Sequence, residues 1–126
     1  LEGFFMKILV TGGAGFIGSH TALLYRLNGD YNPLHSDPEI ARRAGFDQPI
    51  LHGLATYGVA ARALMLSLKD GASARFTSFN ARFSAPVFPG ETLRTEMWHE
   101  PDVIIFRASV LDRGVTVLNN GSACTM

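Results

Sequence analysis

The chain has 126 residues, 47% of them apolar and 17% charged, enough for one domain around one buried core and too apolar for a disordered chain. Eleven basic and eleven acidic side chains cancel, and no run of Lys or Arg offers a nucleic acid or an anionic membrane surface anything to bind. One cysteine, Cys124, excludes an internal disulfide and a cysteine-rich zinc site. No apolar run approaches the roughly 20 residues of a membrane span, and no basic region leads into a signal-peptide core. The expectation is a small-molecule protein of the cytoplasm, with neither nucleic acid nor membrane as partner.

Residues 6–20 read MKILVTGGAGFIGSH, an apolar run followed by Gly12, Gly15 and Gly18. This stretch resembles the first strand and phosphate-binding turn of the extended short-chain dehydrogenases and sugar-nucleotide epimerases, in which glycines let backbone amides approach a pyrophosphate. Asp37 lies near the distance at which such folds place an acid, but YNPLHS before it is no second strand. The plainer reading is one strand over 6–11 with the glycines in a loop. The composition changes abruptly after His20, so the first twenty residues also fit a fused segment on a single domain spanning 1–126.

From Thr21 onward the elements follow in order. Ala22 to Leu27 predicts a short helix stopped by Asn28 and Gly29. Asp37, Pro38 and Glu39 read as an N-cap, a proline at the first helical position and an acid in the first turn, with Gly45 as the stop. After Pro49, Leu51, Leu54, Gly58, Ala61, Met65 and Leu68 recur at spacings of three and four, which predicts a long helix burying that stripe and ended by Asp70 and Gly71. Small Gly58 and Ala61 would let it lie close to a sheet. Residues 74–84 and 91–99 have strand character, the latter alternating Leu93, Thr95 and Met97 against Thr92, Arg94, Glu96 and Trp98. Turns at Glu100, Pro101 and Asp102, at Asp112, Arg113 and Gly114, and at Asn119, Asn120 and Gly121 separate VIIFRASVL, VTVL and the C-terminal residues. Periodicity alone supports an α+β fold, an antiparallel sheet packed on one helix.

Residues 25–41, YRLNGDYNPLHSDPEIA, crowd Asp30, Asn32 and His35 into one Gly- and Pro-stiffened turn. GDYNPLH, Asp37 and Pro38, PILHG at 49–53 and RFSAPVFPGETL at 82–93 occur in an order and spacing that resembles the MaoC-like (R)-specific 2-enoyl-CoA hydratases, over about residues 21–121. That resemblance implies the hotdog fold, an antiparallel sheet wrapped around one long central helix, and a homodimer, because the chain carries one hotdog half. It also implies reversible addition of water to a trans-2-enoyl-CoA, with Asp30 and His35 as the catalytic dyad.

Such a reaction needs a base for water, an acid for the α-carbon and donors for an enolate-like oxygen. Asp30 and His35 can supply the first two, and which of them is the formal base stays open. Gly53, at the expected helix N-terminus, and the Asn32 side-chain amide are the expected oxyanion and substrate-binding groups. Taken singly, Asp30 and Asn32 also suit a turn, His35 a loop hydrogen bond and Gly53 close helix packing. His52 reads as structural, Tyr57 and Arg62 as core or partner contacts, and Arg82 and Arg94 as solvated arginines within reach of CoA phosphates. No His, Asp and Cys set has metal-ligand spacing, and neither metal nor cofactor is expected; CoA enters as the substrate's thioester. Two other readings remain: a hotdog thioesterase, opposed by the absence of Asp and Glu from residues 51–68, and a non-catalytic hotdog subunit or fusion.

Overall fold

The computed structural model describes residues 4–9, 16–68 and 75–125. Five strands, β1 (Phe4–Leu9), β2 (Phe76–Phe83), β3 (Thr92–His99), β4 (Ile104–Val110) and β5 (Val115–Thr125), form one sheet in the order β1-β3-β4-β5-β2. Every paired neighbour is antiparallel. Between β1 and β2 run α1 (Phe16–Leu27), a 3-10 turn (Pro33–His35), α2 (Pro38–Arg43) and α3 (Gly53–Ser67). This is the expected α+β hotdog arrangement, a sheet around one long helix.

The N-terminal expectation is corrected in part. β1 joins the sheet beside β3, pairing Phe4 with Met97 and Leu9 with Thr92, whereas a dinucleotide-binding unit is built on parallel strands. Gly12 and Gly15 lie outside the described residues, and Gly18 falls inside α1, which starts six positions before the expected Ala22. α2 forms as its residues dictate: Asp37 Oδ1 accepts from the Glu39 and Ile40 N–H groups at 2.8 and 3.2 Å, and Gly45 ends the segment at φ +90°.

The buried stripe of α3 is also corrected. The buried residues of α3 are Thr56, Ala60, Ala63 and Leu64, and the last three pack with Leu93, Met97, Phe106 and Val117 in the main core. Leu54 is 66% exposed, and a Cβ built on Gly58 would meet nothing within 4 Å. The reason is compositional. Arg62 is the only charged residue of α3, so apolar residues occur on every side and spacing cannot select a face. Ala60 and Ala63, both fully buried, are the small residues that let the helix sit close.

The expected alternation in β3 holds in part: Leu93, Thr95 and Met97 are buried and Arg94 and Trp98 are half-buried, but Thr92 and Glu96 are buried as well, Glu96 beneath its ion pair with Arg107. Asn119, Asn120 and Gly121, read from sequence as a turn, instead lie within β5. Register shifts occur there against both β2 and β4, and Asn120 takes φ +49°, absorbing extra chain as a bulge does. Gly121 is needed for a separate reason: a Cβ at that position would lie 2.5 Å from the Phe106 carbonyl oxygen.

The corrected helix face sets a stability ranking. Leu64→Ala should cost about 2–5 kcal/mol in denaturant unfolding, while Leu54→Ala should stay within about 0.5 kcal/mol. The stripe read from spacing predicts the larger loss at Leu54.

Candidate active site

The site is assembled where α1 ends. Gly29, at φ +89°, turns the chain so that its N–H reaches the Arg26 carbonyl at 3.1 Å and the Asp30 N–H reaches the Tyr25 carbonyl at 3.1 Å. This is the Schellman closure of a helix, and it requires the left-handed backbone that glycine adopts freely. It delivers Asp30 directly beyond the last turn. Asp30 Oδ1 then accepts from the Asn32 N–H at 3.1 Å, and Asn32 Oδ1 accepts from the Leu34 N–H at 3.0 Å. Two successive side-chain-to-backbone bonds thus fix the path to His35. With its oxygen so occupied, Asn32 is left with its amide donors.

His35 is anchored across the loop. Its Nδ1 lies 2.9 Å from the Ile50 carbonyl oxygen; a carbonyl only accepts, so Nδ1 carries the proton and Nε2 of the neutral ring is the free lone pair. Ile50 N–H in turn donates to the Leu34 carbonyl at 3.3 Å. Gly53 is the first residue of α3, as expected; the Ala55 and Thr56 N–H groups already donate to the His52 carbonyl at 3.0 and 3.3 Å, whereas the Gly53 N–H, at the first helical position, has no carbonyl a turn earlier in the helix to reach. A Cβ added to Gly53 would stand 3.2 Å from Cε1 of Phe83, so close packing and an accessible amide both favour glycine there.

Two residues that the sequence did not single out for the site complete it. His52 is 3% exposed and forms the middle of a three-ring stack, 4.1 Å from Tyr25 and 3.8 Å from His35 between ring centroids. Its Nε2 lies 3.7 Å from Asp30 Oδ2. Burial, then the adjacent His35 ring, lowers the His52 pKa from its ordinary value, with the Asp30 charge working the other way. Burial, then Asp30, raises that of Tyr25. His52 adjoins Gly53 in sequence, and that adjacency was the available signal; nothing in the spacing marks Tyr25.

The fold therefore assembles an Asp, His, His group that sequence spacing did not reveal. Possible ligand atoms of Asp30, His35 and His52 all lie within 4.8 Å of one another. Imidazole lone pairs lie in the ring plane, however, and the two rings are stacked only 26° from parallel. Their lone pairs converge poorly for the tetrahedral geometry that a zinc ion takes.

A cavity of about 370 Å³ opens beside this group, lined by His35, Phe46, Leu51, Gly53, Thr56 and Phe83, with residues 84–87 along one side. Asp30 and Asn32 are outside that lining, while His35 and Gly53 share it. The other candidates stand apart. Tyr57 hydroxyl donates to the Phe79 carbonyl, Arg62 and Arg82 are exposed, and Arg94 lines a separate polar hollow with Glu96 and Arg107.

Comparison with known proteins follows the same lines. Residues 8–120 match the model of the MaoC like domain. The chain belongs to the MaoC-like domain family. It is 60% identical over 91 residues to 3-hydroxyacyl-thioester dehydratase Y of Mycobacterium tuberculosis, covering 71% of this chain and 31% of that protein. It is 54% identical over 97 residues to the peroxisomal enoyl-CoA hydratase 2 of Arabidopsis thaliana, covering 77% of this chain and 31% of that protein. The crystal structure of a MaoC-like dehydratase from Phytophthora capsici superimposes with a TM-score of 0.84 at 45% identity, over 98% of this chain and 40% of that one. The chain thus spans about a third of the length of these two curated relatives. Among its described residues no helix is long and apolar enough to cross a membrane.

The lowered His52 pKa has a sign. The unfolded chain takes up the His52 proton near 6.5 and the folded chain only below that, so this contribution to stability is complete above 6.5 and declines as pH falls through that value. His52→Phe, which keeps a ring in the stack, should flatten the melting temperature against pH between about 5 and 7. An unchanged slope in that variant would locate the dependence elsewhere.

Proposed function

We propose that this MaoC-like domain carries the hydratase site of an (R)-specific 2-enoyl-CoA hydratase, reversibly adding water to a trans-2-enoyl-CoA to give (R)-3-hydroxyacyl-CoA. The observation that carries this reading is the juxtaposition of His35, anchored through Nδ1, with the N-terminus of α3 at Gly53 on one cavity. In this reading the acyl group enters the cavity and Asp30 and His35 hold a water over the β-carbon. The water oxygen bonds to the β-carbon, one water proton passes to the dyad, and a proton from the dyad reaches the α-carbon. The thioester oxygen gains negative charge as the double bond is lost, and the Gly53 N–H and the Asn32 amide stabilise it. Asp30 and His35 act as one coupled unit, and neither is singled out as the base. The reaction as written uses no metal or cofactor.

A thioesterase of this fold would call for a carboxylate on the long helix to activate water at the carbonyl, and α3 contains no Asp or Glu. We take the working form to be a homodimer. The cytoplasm was the compartment expected from sequence; the relative from Arabidopsis thaliana is named as peroxisomal, and imaging of the tagged protein decides between them.

The test is loss of the conjugated enoyl-thioester absorbance on adding crotonyl-CoA, with chiral analysis of the product. Asp30→Asn and His35→Ala should each lower kcat/KM by at least about 10²-fold. Full activity in either variant removes the dyad assignment. A folded wild-type dimer without activity favours the non-catalytic subunit.

A further inference from the structure

The β4–β5 turn is remote in sequence from the dyad, yet Arg113 reaches from it to the segment that walls the cavity. Arg113 Nε donates to Glu91 Oε1 at 2.5 Å, and Nη2 donates to Glu91 Oε2 at 2.9 Å and to the Pro86 carbonyl at 2.8 Å. Its guanidinium carbon lies 5.1 Å from the centroid of the Phe88 ring. Glu91 Oε2 also accepts from the Phe88 N–H at 2.8 Å. Pro86 and Phe88 are therefore held from both sides by one partly buried ion pair, with side-chain exposures of 33% for Arg113 and 15% for Glu91.

The residue between them transmits that placement. Val87 is 2% exposed, and its carbonyl accepts from the Leu51 N–H at 2.7 Å. Leu51 directly precedes His52 and Gly53. A continuous set of bonds therefore runs from Arg113 through Pro86 and Glu91 to Val87, then to Leu51 and the first peptide of α3. The same segment supplies Ala85, Pro86 and Val87 to the cavity lining, which also includes Thr56 and Phe46.

We propose that Arg113 and Glu91 are positioning residues that fix the cavity wall and the approach of the Leu51–Gly53 backbone, and so set which acyl chain length is accepted. The acyl part of this proposal rests on the hydratase reading above. The planar guanidinium holds two carboxylate oxygens and a carbonyl in one arrangement, which a lysine ammonium cannot reproduce. Releasing the wall lets it yield to longer chains and removes the close fit around short ones. Neither residue touches the reacting atoms, so the effect should fall on KM and on selectivity more than on kcat.

The experiment compares wild type with Arg113→Gln, Arg113→Lys and Glu91→Gln in the full chain, using crotonyl-CoA and trans-2-decenoyl-CoA and following Leu51 amide hydrogen exchange. In Arg113→Gln the ratio of kcat/KM for decenoyl over crotonyl substrate should rise at least about fivefold, mostly through KM. Leu51 exchange should accelerate by about tenfold. Arg113→Lys should recover only part of the wild-type ratio. A ratio within about twofold of wild type, or an equal fall in kcat for both substrates with a lowered melting temperature, overturns the selectivity role and leaves a purely structural ion pair. Unchanged Leu51 exchange overturns the clamp itself. If wild type hydrates neither substrate, the hydratase reading falls and the acyl proposal with it, while Leu51 exchange still decides whether the clamp exists.

Discussion

The close seating of α3 on the sheet is the constraint on which the rest depends. Ala60 and Ala63 reach zero exposure, so the helix backbone can approach β1, β3 and β2, with Leu64 in the shared core. A helix held that rigidly has a rigid N-terminus, and Gly53 is that N-terminus. The helix does two jobs with different residues: its middle builds the core, and its first turn lends Gly53 and Thr56 to the cavity lining.

Against that fixed end the candidate active-site turn is built by local bonds. The Schellman closure at Gly29, the Asp30 bond to the Asn32 N–H and the Asn32 bond to the Leu34 N–H leave little freedom between the end of α1 and His35. Long-range ties then dock the turn: His35 to Ile50, and the stack of Tyr25, His52 and His35. Burial of His52 between two rings favours its neutral form, which leaves Asp30 facing a polar but uncharged ring. The functional turn is thus held by groups on α1 and on the approach to α3, and the sheet contributes through the 84–91 segment.

Much of the site was legible in sequence because its bonds are local. Asp37 as a cap, Gly29 as a stop, and Asp30, Asn32 and His35 within one turn depend on neighbours two to five residues away, and spacing records such neighbours. The buried face of α3 was misread because a helix apolar on every side offers no contrast. Asn119, Asn120 and Gly121 have turn chemistry, but pairing with β2 and β4 on both sides kept the strand going and turned the deviation into a bulge. Here tertiary pairing outweighed local preference.

By itself the sequence determined the order of elements, the antiparallel class of the sheet and the local conformation that puts Asp30 and His35 on one short turn, because each follows from backbone preferences over a few residues. Only the tertiary structure decided which face of α3 is buried, that His52 stacks between His35 and Tyr25, and that Arg113 reaches the wall of the cavity. His35 and His52 lie 17 residues apart, and Arg113 and Glu91 lie 22 apart. At such separations chain closure and packing choose the partner, and no periodicity carries the choice.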